Sequence, residues 1–221
     1  MAITYRTQIC YAVGINMERN TALQTYTVEQ IKTLSRTDFS RAVEQTTLAF
    51  SGDPIFGYLF KGPKELSHLI AVSLKYYLKT GLVFCCYDEK QCICGISMWN
   101  EPDGKAITAS SAVTSGMLPD YFKLFFSVSK GSFYRMLKLS GCLQKNHWKP
   151  PHYYLFLIAA FQPGVGSALM ENAMSRFGKH EFYLENSNPV KNNYFYGKHG
   201  FEALPEITWK GCTVQPMIRK S

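Results

Sequence analysis

Tyr153-Tyr154-Leu155-Phe156-Leu157-Ile158-Ala159-Ala160, then Phe161-Gln162-Pro163-Gly164-Val165-Gly166, then Ser167-Ala168-Leu169-Met170 is the stretch on which the fold turns. The first eight residues carry no charge and follow Pro150-Pro151, so they read as a strand buried on both faces. The apolar run is far too short to span a bilayer. A tight loop follows, then a helix from Ser167 to Gly178 on which Leu169, Ala173, Met174 and Phe177 share one face. Glycines at a strand-to-helix turn let backbone N–H groups converge on an anion, and the helix N-terminus adds partial positive charge. Taken alone the turn has two readings, a pyrophosphate cradle or merely a tight connection. No Gly-Lys-Ser/Thr follows, which excludes a mononucleotide P-loop, and the all-parallel series of a dinucleotide domain is missing.

Working outward, the chain continues as a strand Glu181 to Glu185, a loop Asn186 to Pro189, a helix Val190 to His199, and strands around Phe201 to Leu204 and Ile207 to Arg219. Upstream, Val28 to Leu34 reads as a strand, and Ser35, Thr37 and Asp38 offer N-caps for a helix that Ser51-Gly52-Asp53-Pro54 stops. A second helical period runs from Leu66 to Leu78 and ends near Gly81. Leu82 to Tyr87 and Cys92 to Trp99 form a hairpin, with Cys92, Cys94, Ile96 and Met98 expected on one face. A loop extends from Pro102 to about Leu118. Tyr121 to Leu143 reads as two short helices broken at Gly131, with more apolar positions than one stripe needs, as core or pocket lining. Residues 1–24 show no period and read as an extension before a single domain over 25–221.

Of the 221 residues 46% are hydrophobic and 18% charged, which excludes a disordered chain. The net charge is +8, but the basic residues are scattered. Even the densest set (Lys123, Lys130, Arg135, Lys138, Lys145 and Lys149) reads as a solvated face that would favour a polyphosphate ligand, not as a nucleic-acid or membrane partner site. Seven cysteines in uneven spacing, the absence of an Asn-x-Ser/Thr sequon and the broken apolar run Ile9 to Ile15 point to no signal peptide and a reducing, cytoplasmic setting. Cys85, Cys86, Cys92 and Cys94 lack a Cys-x₂-Cys knuckle and read as small buried hydrophobes, so no metal is expected.

Tyr183-Leu184-Glu185-Asn186-Ser187-Asn188, followed by Asn192-Asn193-Tyr194-Phe195-Tyr196-Gly197-Lys198-His199-Gly200-Phe201, resembles the acetyl-CoA half of the GNAT family of N-acetyltransferases. The Gln162 to Gly166 loop is similar to that family's pyrophosphate motif, though shorter, and Gly211, Met217 and Arg219 look like its closing strand. Asp53-Pro54 with Tyr58-Leu59-Phe60, Trp99, Pro102 and His152-Tyr153-Tyr154-Leu155 resemble a subgroup acting on small molecules. The likeness runs from about Val28 to Arg219.

The resemblance implies an α/β (α+β) GNAT fold: a mixed central sheet, flanked by helices and splayed between its fourth and fifth strands, here Tyr153 to Ala160 and Glu181 to Glu185. It implies acetyl-CoA as acyl donor, its pantetheine arm pairing with the backbone of Ile158, Ala159 and Ala160. Gln162, Gly164, Val165, Gly166, Ser167 and Ala168 would hold the pyrophosphate, and Asn192 the pantetheine side. Tyr196 would protonate the departing thiolate. The acceptor would be a primary amine of a small molecule, with a protein N-terminus or lysine as the alternative acceptor. A non-catalytic acyl-CoA-binding or interaction domain is the alternative that the short, proline-containing loop favours. The protein would act as a monomer or homodimer. Glu101, Asp103, His147 and His152 are the candidates for a base, with water as a substitute.

Overall fold

Apolar alternation lays down nine strands in the computed structural model, which describes residues 26–102, 114–221 and the backbone of residues 2–4. They are β1 (Ala2–Thr4), β2 (Thr27–Ile31), β3 (Leu82–Tyr87), β4 (Ile93–Asn100), β5 (Tyr153–Ala160), β6 (Phe182–Asn186), β7 (Glu202–Ala203), β8 (Ile207–Trp209) and β9 (Cys212–Arg219). Seven helices accompany them: α1 (Arg36–Ala49), α2 (Pro54–Leu59), α3 (Pro63–Thr80), α4 (Leu118–Ser127), α5 (Lys130–Asn146), α6 (Val165–Phe177) and α7 (Pro189–Lys198). The sheet runs β2-β3-β4-β5-β6-β9-β7, with β8 paired to β9. All neighbours are antiparallel except β5 with β6 and β1 with β5, which are parallel.

The central strands are covered on both sides, as their uncharged sequences require. On one face Val83, Cys85, Ile96, Met98, Leu157 and Ala159 pack beneath α1 to α5. On the other, Phe84, Cys86, Trp99, Leu155, Ile158 and Ala160 pack beneath α6 and α7. Cys85 therefore faces away from Cys86 and Cys94, which meet on the α6 side, where Cys94 Sγ donates to the Cys86 carbonyl at 3.2 Å.

The decisive feature is the parting of β5 from β6. Tyr153 to Leu155 pair with Phe182 to Leu184, and beyond them the two strands diverge, giving the splay expected between the family's fourth and fifth strands. The edge of β5 exposed by that divergence is met by β1, whose Ala2, Ile3 and Thr4 stand opposite Ile158, Ala159 and Ala160. The expected extension is thus strand at residues 2–4, and the rest of it lies outside the described residues.

Several local expectations need correction. The break between α4 and α5 falls at Val128 and Ser129, not at Gly131, because the Ser129 hydroxyl accepts from the Ser132 N–H and caps α5. Cys94 lies on the α6 side, opposite to Ile96 and Met98. A register shift between Cys86 and Tyr87 inserts a bulge there, and alternation fails across a bulge. Asp53-Pro54 ends one helix and also starts another: the Asp53 carboxylate accepts from Ile55 N and Phe56 N, and Pro54 occupies the first turn of α2. The tail is a hairpin, β8 to β9, turned by Lys210 and Gly211, both at positive φ as a tight primed turn demands. Of the loop expected from Pro102 to Leu118, residues 103–113 lie outside the described residues.

Gly95 sets the distance between sheet and α6. A Cβ there would stand 2.3 Å from Val165 Cγ1 and 3.0 Å from the Ala159 carbonyl oxygen. Gly95→Ala should therefore destabilise the fold by about 1–3 kcal/mol through overpacking, read as a lower denaturant midpoint. An unchanged midpoint would mean that α6 can shift outward without loss.

Candidate active site

Three pieces of chain meet at the C-terminal end of β6. Asn186, the last residue of the strand, holds the start of α7: its side-chain amide donates to Asn193 Oδ1 at 2.8 Å, and its oxygen accepts from Asn188 N at 3.0 Å and from Asn192 Nδ2 at 3.4 Å. Asn192 is buried and shares in that network. Next to it, the Ser187 hydroxyl donates to Asp53 Oδ2 at 2.5 Å, tying β6 to the start of α2 across 134 residues of sequence. One carboxylate thus serves two purposes, since its other oxygen caps α2.

Asp53 is 1% exposed. Burial pushes its carboxyl above the usual carboxylate range, although the hydrogen bonds from Ser187, Phe56 and Ile55 pull the other way. One turn beyond Asn192, Tyr196 projects into the same region. Its ring is fully buried between Phe195 and Phe201, with centroids 5.2 and 5.9 Å away. Its hydroxyl finds no hydrogen-bond partner among the described residues. A buried hydroxyl without a partner costs free energy and marks a place where a polar group is missing. Burial, with the nearby Asp53 carboxylate adding to it, holds this phenol well above its usual range.

The loop after β5 is pinned on both sides. Phe161 N donates to the Cys94 carbonyl at 2.8 Å, and the Tyr26 hydroxyl donates to the Pro163 carbonyl at 2.7 Å. Gly164 caps α6 at φ 85°, a left-handed conformation that glycine adopts without strain, and no side chain caps the helix. The N–H groups of Val165, Gly166 and Ser167 at this end are unused by the helix itself. Gly166 allows the approach of α7, since a Cβ there would lie 3.3 Å from the Phe195 ring. The Gln162 side chain hydrogen-bonds the Asp88 carboxylate of the β3–β4 turn and helps to hold it below its usual range.

The site residues expected from the sequence therefore fall into three groups. Gly164, Val165, Gly166, Ser167 and Ala168 form the open end of α6. Ile158, Ala159 and Ala160 lie on the β5 edge, now paired with β1. Asn192 and Tyr196 sit on α7 beside the Asp53–Ser187 pair. Among the candidate bases, Glu101 is exposed beyond β4 and Asp103 lies outside the described residues. His147 and His152 form a separate cluster: His147 Nδ1 is 3.3 Å from Glu185 Oε1, and the two Nε2 atoms are 3.2 Å apart. Glu185, buried, also accepts from the hydroxyls of Tyr154 at 3.0 Å and Tyr183 at 3.2 Å. Burial lowers the His152 imidazole, and its Nδ1 stands 2.6 Å from the Pro150 carbonyl.

Asp53 as a chemical group was missed from the sequence. The sequence shows it only as part of the stop after α1, whereas it caps α2, and nothing local announces the second bond to Ser187. Its pKa gives a direct check. Removing the Ser187 hydroxyl deletes an interaction that favours the charged form, so Ser187→Ala should move the Asp53 pKa further up in a carbon-detected NMR titration. A downward move would show that the hydroxyl does not serve the carboxylate.

No known protein family's sequence profile matches the chain, and no curated protein does. Solved structures do match. A Corynebacterium glutamicum protein described as a histone acetyltransferase and related acetyltransferase is 24% identical, over 89% of this chain and 96% of its own, with a TM-score of 0.64. Arylalkylamine N-acetyltransferase 2 of Aedes aegypti is 12% identical over 89% and 99%, with a TM-score of 0.56. An N-acetyltransferase of Staphylococcus aureus is 13% identical over 86% and 99%, with a TM-score of 0.55. The splayed mixed sheet, its helices and these neighbours together give the chain the fold of the GNAT acetyltransferases.

Proposed function

We propose that the chain is an N-acyltransferase that moves an acetyl group from acetyl-CoA to the primary amine of a small molecule. The observation that carries this reading is the buried Tyr196 hydroxyl near Asp53, which has no hydrogen-bond partner among the described residues.

The residues present suit an acyl-CoA at two places. The uncapped end of α6, with Gly164 in the left-handed region and Gly166 lacking a Cβ, suits a pyrophosphate. The Tyr196 hydroxyl suits a thioester sulfur. Bound there, acetyl-CoA supplies an activated acyl group and a thiolate leaving group. An amine attacks only when neutral, and Asp53, held above the usual carboxylate range, is suited to accept its proton, directly or through Ser187. Tyr196, held well above its usual range, keeps its proton across the neutral range and can give it to the leaving sulfur. The aromatic enclosure keeps water from that atom.

A second reading has its own support. The β5 edge at Ile158 to Ala160, where a pantetheine arm would pair, is taken by β1. Together with the short loop and Pro163, which has no N–H, this favours a domain that binds acyl-CoA weakly and serves in protein interaction. A protein N-terminus or lysine is the other acceptor consistent with the same chemistry.

Two measurements separate these readings. Acetyl-CoA should raise the melting temperature by mass action, and Gly164→Glu, which sets a carboxylate at the helix end, should remove the shift. Deleting residues 1–4 should enlarge the shift if β1 competes with the arm. No shift in either the full chain or the deletion variant would leave the interaction domain. For catalysis, Tyr196→Phe should lower kcat by about 10²- to 10⁴-fold with the acetyl-CoA Kd unchanged. Asp53→Asn should remove the acid limb of the pH profile, which in the full enzyme lies above the ordinary carboxylate range because only ionised Asp53 accepts a proton. A Tyr196→Phe enzyme within a few fold of the original would return that residue to a packing role.

A further inference from the structure

The aromatic stretch that reads as core or pocket lining is core in part, through Leu124, Val128, Leu139 and Leu143, but it leaves a second set of apolar side chains outside. On α4, Phe126 is 80% exposed, Phe122 57% and Leu118 43%, while of that helix only Leu124 is buried. Leu118, Phe122 and Phe126 recur every fourth residue and form one row along the helix. Phe125, 40% exposed, bridges to α5 through Phe133, with ring centroids 4.9 Å apart, and Tyr134 and Leu137 of α5 are also more than half exposed. A helix of a globular domain normally turns such a stripe inward, and large exposed apolar patches mark contact surfaces.

The rim of this patch is basic. Lys123 of α4 and Lys130 and Lys138 of α5 are exposed, and Lys138 Nζ lies 5.4 Å over the Tyr134 ring. The acidic group on the two helices, Asp120, is paired with Lys75 at 2.8 Å. From α3, Glu65 is occupied by Ser129 N at 2.8 Å and the Ser132 hydroxyl at 2.7 Å. Arg135 turns inward to the Leu59 carbonyl at 2.8 Å and the Tyr58 ring.

We propose that the α4–α5 face docks on an anionic lipid surface, with the Leu118-Phe122-Phe126 row entering the boundary between headgroups and acyl chains and Lys123, Lys130 and Lys138 reaching lipid phosphates. Apolar row and basic rim together are the pattern of an interfacial helix, and lysine stems extend along the apolar surface while their charges stay in the headgroup layer. A second copy of the chain fits less well, because a two-fold contact would bring two basic rims together while Asp120 and Glu65 are already engaged. Nucleic acid fits less well too, since the row includes leucine and the arginine of this face is committed internally. No helix among the described residues is long and apolar enough to cross a membrane, so the contact is with its surface. The inference stands apart from the acyl-transfer reading.

The test is co-sedimentation of the full chain with vesicles of phosphatidylcholine alone or mixed with phosphatidylserine. Pelleting with the mixed vesicles, weak with the neutral ones and reduced by added salt, is expected. Phe122→Ser combined with Phe126→Ser should weaken it by about tenfold or more, and Lys123→Glu combined with Lys138→Glu should reduce it to the neutral-vesicle level. These positions are exposed, so an unchanged melting temperature serves as the folding control. Equal pelleting of the original and both variants overturns the proposal, as does no pelleting at all. A dimer in light scattering that the phenylalanine variant dissociates, without vesicle binding, assigns the face to a second copy. Binding of a single-stranded oligonucleotide, lost in the same variant without vesicle binding, assigns it to nucleic acid.

Discussion

Past Leu155 and Leu184 the two central parallel strands part, and the inner edge of β5 is left with backbone N–H and C=O groups that must find partners. Buried among Ile158, Ala159 and Ala160, those groups cannot rely on water. Two kinds of partner can satisfy them: another strand, as β1 does, or an amide-bearing ligand that lies along the edge like a strand. α7 packs against β6 and against β1, the strand that enters the gap between β5 and β6. Site and strand pairing are therefore one problem in hydrogen-bond satisfaction, and whatever occupies the edge decides whether the interior behind it is available.

Asp53 shows how a structural group becomes a chemical one. A carboxylate buried with a helix cap as its sole duty would be stabilised by the α2 N–H groups and would stay an ordinary acid. Here burial outweighs those bonds, and the second oxygen is held by the Ser187 hydroxyl at the end of β6. The result is a carboxyl whose affinity for a proton is raised by burial, without a second carboxylate among the causes. The Glu185 cluster is the contrasting case. Its oxygens meet three side chains, those of His147, Tyr154 and Tyr183, rather than a helix end, and it anchors the segment after α5 to β6.

Most of the architecture was legible because its signals are local. The uncharged run at Tyr153, the glycine turn at Gly164 and the capping residue Ser35 each act within a few residues of themselves. Three things were not legible for one reason: they depend on registers or contacts between distant segments. Cys94 changes face through a bulge that only pairing with β3 defines. The bond of Ser187 to Asp53 exists because β6 ends beside α2. Phe122 and Phe126 look like core in sequence, and only the docking of α4 by Leu124 leaves them outside. Gly131 is a different case, an error of precedence: a serine cap two residues earlier decides the helix start, and glycine within the first turn is tolerated.

The short loop has an effect that its missing donors alone do not describe. Deleting residues removes N–H groups from an anion site, and each charge-assisted bond lost is worth about 1.5–3 kcal/mol. Yet a longer glycine loop must also be ordered when it closes on phosphate, at about 1–2 kcal/mol per residue fixed. This loop is already fixed, by Cys94 through Phe161 and by Tyr26 through Pro163, so its remaining donors at Val165, Gly166 and Ser167 are aimed before any ligand arrives. The two effects are of similar size and opposite sign. On the acyl-CoA reading proposed above, affinity at the helix end would be set less by the number of donors than by whether the rest of the ligand reaches the β5 edge, which would return the control of binding to β1.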